Sequence, residues 1–83
     1  MNSAKQPFLV VYDYGMGGVW GIVLARSEAE IAAAYPELTV VRERPSWMSE
    51  ERYAELARGQ THDIDDREVG GVIRAVVRDR EKG

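Results

Sequence analysis

Phe8-Leu9-Val10-Val11-Tyr12-Asp13-Tyr14-Gly15-Met16-Gly17-Gly18-Val19-Trp20-Gly21-Ile22-Val23-Leu24-Ala25 decides the fold of this chain. Two apolar runs flank a turn of three glycines. Glycine reaches positive φ without a Cβ clash, as hairpin loops require, so the stretch reads as a β-hairpin. The first strand is expected over residues 8–13. Phe8, Val10 and Tyr12 fall on one face and Leu9 and Val11 on the other. A strand apolar on both faces is either central and covered twice, or keeps one face for a partner. The second strand, Val19 to Ala25, sets Trp20, Ile22 and Leu24 together. Gly21 lies opposite them, where a bulge or a close neighbour is expected.

Around this hairpin the signals alternate. Residues 1–7 read as a disordered polar tail ending at Pro7. Ser27-Glu28-Ala29-Glu30 has the form of a capping box, with Glu30 expected to reach back to the serine amide. The helix it opens runs to about Tyr35, where Pro36 stops it. A third strand is expected from Leu38 to Arg44, ended by Pro45. Ser49 caps a second helix, Glu50 to Arg58, with Met48 and Tyr53 as its hydrophobic staple and Gly59 as its stop. Residues 61–64 read as a short fourth strand or an extended loop. Asp65 and Glu68 repeat the capping-box pattern, with Ile64 and Val69 as staple. A third helix is then expected to about Arg80, on the spacing of Val69, Val72, Ile73, Val76 and Val77. Gly70 and Gly71 cost that helix about 1 kcal/mol each against alanine. The fold class is therefore α+β. It has a small antiparallel sheet of three to four strands, order ββαβα(β)α, with helices packed mainly on one face and the other face partly open.

A chain of 83 residues allows one domain, over residues 8–80, and a small core. With no cysteine there is neither a disulfide nor a thiolate metal site to reinforce it, so a homodimer is one route to further burial. Hydrophobic content of 45% with 30% charged residues is that of a globular protein. A net charge of −3 argues against nucleic acid as a partner. Arg74, Arg78 and Arg80 of the last helix read instead as a solvated face that complements the helix dipole. No apolar run is long enough to span a bilayer and no signal segment is visible, so no membrane partner and a cytoplasmic location are expected. Arginine outnumbers lysine nine to two, the bias of a GC-rich bacterial genome.

The opening Phe8 to Trp20, together with Tyr35-Pro36-Glu37-Leu38-Thr39-Val40-Val41 and Glu43-Arg44-Pro45-Ser46-Trp47-Met48, resembles short actinobacterial proteins of uncharacterised function. The likeness covers most of residues 8–66. It implies the hairpin-helix-strand opening and no activity, and no catalytic residue is carried over from it.

The chemistry-bearing residues are few. The glycine turn precedes a strand and lacks both phosphate-loop patterns, so it reads as a plain hairpin and no cofactor is expected. His62, Asp63, Asp65 and Asp66 form the densest polar cluster, yet their spacing matches no metal loop and one aspartate is used as a helix cap. They read as cap and turn rather than as a metal site. His62 is the one residue with a general base's pKa range, and Ser46, Ser49, Thr39 and Thr61 are the available hydroxyls, with no nucleophile-elbow sequence among them. No catalytic residue is assigned. The aromatic side chains are more informative. Tyr12, Trp20 and Trp47, with Arg42 and Arg44, are expected to form a partner-binding surface, since aromatics and arginines dominate interface hot spots.

The expected function is that of a small, acidic, non-enzymatic protein-interaction domain, of inhibitor, immunity-like or accessory type. It would bind an unidentified protein partner or itself. The alternative is a small-molecule or metal-binding protein or minor enzyme, with a pocket between the 14–18 loop and residues 61–66 lined by Tyr14, His62 and Asp63.

Overall fold

The computed structural model describes residues 4–13, 15 and 17–82. The hairpin forms as the sequence dictates. Strand β1 (Gln6–Asp13) pairs antiparallel with β2 (Gly18–Ala25), from Gln6 opposite Ala25 to Asp13 opposite Gly18. β1 begins two residues before its first apolar side chain. Gln6 and Pro7, expected in the polar tail, are thus part of the sheet, and residues 1–3 lie outside the described residues. Helix α1 (Glu28–Ala34) follows, then β3 (Leu38–Val41), α2 (Glu50–Gly59), β4 (Thr61–Asp63) and α3 (Ile73–Lys82). The sheet order is β3-β1-β2-β4, so the doubly apolar β1 is central.

The element order is the expected one, but the sheet is mixed rather than antiparallel. β1 runs against both neighbours, whereas β4 runs parallel to β2. β1 and β2 are joined by four residues. Each later strand is reached through a helix, which returns the chain to the end where the previous strand began and delivers the next one parallel. The connection β2-α1-β3 moves across the sheet in one direction and β3-α2-β4 moves back. For both to have the same hand, as such crossovers strongly prefer, they must use opposite faces.

They do. Val10, Tyr12, Val23 and Ala25 form one face with Ile31 of α1 and with Val72, Ile73 and Val76. Leu9 and Ile22 form the other with Leu56 of α2 and Met48 of the loop before it. Two helices thus cover the first face and one covers part of the second.

Local details differ from expectation at four points. At the start of α1, Ser27 Oγ accepts from the Glu30 amide at 3.1 Å, but Glu30 reaches back to the Arg26 amide, 2.7 Å away, and not to that of Ser27. β3 stops at Val41, short of Arg44. Gly59 closes α2 from inside the helix without a positive φ. The largest departure is α3, which starts at Ile73. Asp63 and Asp66 instead accept from the amides two residues on, at 3.0 Å each, in two successive Asx turns, which divert the backbone from a helix. Val69, expected in the buried stripe, is 39% exposed.

The glycines explain why. Gly71 takes φ +56°, and a Cβ there would stand 2.8 Å from the Gln60 carbonyl carbon. A Cβ on Gly21 would stand 2.7 Å from Val72 Cβ and 2.8 Å from the Gln60 oxygen. The close neighbour expected at Gly21 is thus the segment leading into α3. Gly59 is the contrast, with nothing within 4 Å of its Cβ position. Gly21→Ala is expected to destabilise the fold by about 1–3 kcal/mol through overpacking. Gly59→Ala is expected to stabilise it by about 0.5–1 kcal/mol, because alanine restricts the unfolded chain and favours helix. Urea midpoints of the two variants check both signs.

Candidate functional site

The second face of the sheet carries the exposed aromatic surface. The loop from β3 into α2 turns tightly, with the Met48 amide donating to the Pro45 carbonyl at 3.0 Å. Its two central residues are Ser46 and Trp47, so Trp47 is turned outward while Met48 goes under and is 2% exposed. Ser49 then caps α2, its Oγ accepting from the Arg52 amide at 3.1 Å. Met48 and Tyr53 meet in one apolar cluster, as the staple requires. The loop is therefore fixed at both ends, and Trp47 remains 65% exposed. Its ring meets Trp20 edge to face, with centroids 5.2 Å apart and planes at 81°, a favoured aromatic geometry.

An open cleft of about 540 Å³ lies between the first half of β1 and the segment leading from β3 into α2. Leu9, Val41 and Tyr53 give it an apolar wall, and Arg42, Arg44 and Glu50 line its polar side. Arg42 donates through Nε and Nη2 to the two Glu28 oxygens at 3.0 and 3.3 Å, which strengthens its hold on its proton. Among the described residues Arg44 has no ion-pair or hydrogen-bond partner.

Of the five expected interface residues, Trp20 and Trp47 meet on this side of the molecule and Arg44 lines the cleft, whereas Arg42 is bound to Glu28 of α1 beside Leu38 and Val40. Tyr12 does not lie on this side either. Val11 is the residue opposite Trp20, so Tyr12 faces the other way and packs with Val10 and Val76. Its hydroxyl donates to Asp79 of α3 at 2.5 Å, and that bond raises the phenol pKa. Both residues flank the hairpin turn in sequence, but the strand alternation divides them between faces. Tyr53 is the residue that the expected interface lacked. The sequence marks it only as half of the staple of α2, and its place at the cleft beside Val41 and Arg44 depends on tertiary packing.

The structure separates the residues of the alternative pocket. β4 pairs with β2 at Ile22, Val23 and Leu24, whereas the hairpin turn lies beyond Gly18. Six residue steps of extended strand, roughly 20 Å, separate Gly18 from Leu24. His62 and Asp63 also point to opposite faces, and Tyr14 lies outside the described residues. Asp63 and Asp65 are occupied by cations. Lys5 Nζ donates to Asp63 at 2.6 and 2.8 Å and to Asp65 at 3.1 Å, and Arg26 donates to Asp65 at 2.5 Å. Lys5 holds the Asp63 carboxyl below its usual value, and Arg26, with Lys5, brings that of Asp65 down to about 2. Nothing in the sequence marked Lys5 as the partner of the 63–65 turn. Among the described residues no group of three or more His, Asp or Glu is placed to hold a metal ion.

His62 is a packed core residue, 3% exposed. Nδ1 accepts from the Gly70 amide at 3.4 Å, which leaves the proton on Nε2, 3.4 Å from the Tyr35 hydroxyl. The hydroxyls near the sequence cluster are also engaged: Ser49 as a cap, and Thr61 Oγ1 donating to the Ala57 carbonyl at 2.7 Å. Arg80 does not simply solvate α3. It clamps Glu37, donates to the Ala34 carbonyl at 3.2 Å and lies over the Tyr35 ring at 5.6 Å. Among the described residues no helix is long and apolar enough to cross a membrane.

Burial lowers the pKa of His62 against the opposing pull of Asp66 and Asp63. A depressed folded-state pKa contributes stability that is full above the unfolded value of 6.5 and is lost as the pH falls through the folded one. The carboxylates held low, Asp63 and Asp65, act in a separate window, losing their contribution only below their ordinary value of 3.8. Urea midpoints measured from about pH 7.5 to 5 are therefore expected to fall for the native sequence and to stay flatter for His62→Gln. Comparison with protein-family models, with curated proteins and with solved structures gives no match for this chain.

Proposed function

We propose that the chain is a small protein-interaction domain that docks its partner over Trp47 and Trp20, with the Arg44–Tyr53 cleft as a second contact. The observation that carries this reading is Trp47 itself. A large aromatic side chain at 65% exposure is held in place by a buried neighbour on one side and a helix cap beyond it, with its edge seated on a second tryptophan. Such pre-ordering lowers the entropy cost of binding, and the free guanidinium of Arg44 supplies a directional contact at the side. Glu43, Glu50 and Glu51 are exposed around this loop together with Arg42, Arg44 and Arg52, and the chain as a whole carries a net charge of −3. The chemistry fits a partner with a basic surface and a recess for an aromatic ring, in the manner of an inhibitor, immunity or accessory protein. That class rests on charge, size and surface, not on a motif.

Affinity capture from host extract tests the reading when three baits are compared by native mass spectrometry. The native sequence and Arg74→Ala, on the helix that packs against the other face of the sheet, are expected to retain the same stoichiometric protein. Trp47→Ala is expected to lose it, with binding at least about 30-fold weaker, as for a hot-spot residue. Retention of that protein by Trp47→Ala at native strength overturns the proposal, as does the absence of any protein specific to the native bait.

A further inference from the structure

Between β4 and α3 the chain forms a strap over residues 64–71. Its first half is anchored by charge, with Asp65 bound to Arg26 and Lys5. Its second half is held differently. Residues 65–69 are exposed, and beyond the Asx turn of Asp66 the polar contact of the strap with the sheet, among the described residues, is the Gly70 amide donating to His62 Nδ1 at 3.4 Å. Gly70 is also the joint with α3, because its carbonyl accepts from the Ile73 amide at 3.2 Å. The last helix thus begins on the residue that His62 holds.

His62 stands beside Val23 in the sheet, buried on the face that α1 and α3 cover. Its Nδ1 accepts only while the ring is neutral. Nε2 already carries the proton that faces the Tyr35 hydroxyl, 3.4 Å away, so an added proton goes to Nδ1. Nδ1–H and the Gly70 N–H then confront each other as two donors, and neither has an acceptor in a buried site. The titratable and charged groups around the ring are Tyr35 at the end of α1, Arg80 of α3 over the Tyr35 ring, Asp63 on β4 and Asp66 in the strap. β2 contributes only Val23. Asp66 and Asp63 attract an imidazolium without a hydrogen bond to it, and burial outweighs them.

We infer that residues 66–72 are an acid-released strap latched by His62: protonation at Nδ1 breaks the bond to Gly70 and frees the strap with the first turn of α3, while the β1–β2 hairpin stays paired. Water reaches the ring only in the open form. Acid therefore favours opening by up to about tenfold for each pH unit below the ordinary histidine value of 6.5. The anchor at Asp65, whose pKa is about 2, stays charged throughout that range, so the strap opens from its α3 end. Trp20 and Trp47 lie on the other face of the sheet and take no part.

Hydrogen exchange followed by NMR from pH 7.5 to 5, with each rate referred to its intrinsic value, tests the inference. Protection of the Gly70, Ile73 and Arg74 amides is expected to fall at least about fivefold, and by more than that of the Val10 and Val23 amides in the hairpin. His62→Gln keeps an acceptor for Gly70 that does not titrate, and its strap protection is expected to stay level. In the native chain the Gly70 amide shift is expected to follow the midpoint of the His62 ring nitrogens, which decides the matter if the variant fails to fold. Equal loss in strap and hairpin overturns the inference, because the whole domain is then unfolding. So does unchanged strap protection, a loss that persists in His62→Gln, or a proton on Nδ1 at pH 7.5. None of these results bears on the Trp47-dependent capture of a partner, which is read separately.

Discussion

A strand with apolar side chains on both faces can be buried only between two layers, and β1 is such a strand. Val10 and Tyr12 are covered from one side by α1 and α3, and Leu9 from the other by α2 and Met48. This requirement organises the rest of the molecule. It sets β1 in the interior of the sheet, sends the two crossovers to opposite faces, and leaves a chain of this size only one helix for the second face. One helix cannot cover the whole of it. The part left over is where Trp20 and Trp47 meet and where the cleft beside Tyr53 opens, so the candidate surface is a consequence of covering a central strand with too few elements.

The second constraint is the contact among Gly21, Gly71 and Gln60. It brings the backbone before α3 against the junction of α2 and β4, and the Ile22 amide donates to the Gln60 carbonyl at 2.9 Å in the same place. Three separate elements converge where side chains are absent. The closeness accounts for the late start of α3 and for the burial of His62, whose Nδ1 is reached by the amide of Gly70.

The hairpin, the Ser27 and Ser49 caps, the staple and the central role of β1 were legible because each depends on residues close in sequence. What was not legible depends on tertiary partners. The parallel placement of β4 follows from the crossover through α2, which the antiparallel hairpin gave no reason to expect. The valine spacing through residues 69–77 suggested one long helix, but Gly71 is needed at positive φ against Gln60, and tertiary contact overrode the pattern. Trp20 and Trp47 stand out in the sequence by residue type alone, but their edge-to-face contact joins a strand to a loop far along the chain and was not legible there. Tyr12 was misplaced because residues flanking a turn look adjacent until the register divides them between faces. Tyr35, Glu37 and Arg80 could not be connected from sequence, since their contacts join a helix end to the last helix.

The bond from Lys5 to Asp63 spans 58 residues of chain. Its strands arrive in a definite order of difficulty. Joining β1 to β2 closes only a turn, whereas seating β4 beside β2 and Lys5 beside both closes most of the chain, and loop-closure entropy rises by about 0.6 kcal/mol with each doubling of length. The return on that closure is a ladder of three residues and an exposed ion cluster. The closure cost is therefore smallest for the hairpin and largest for the β4 edge, where the fewest contacts repay it.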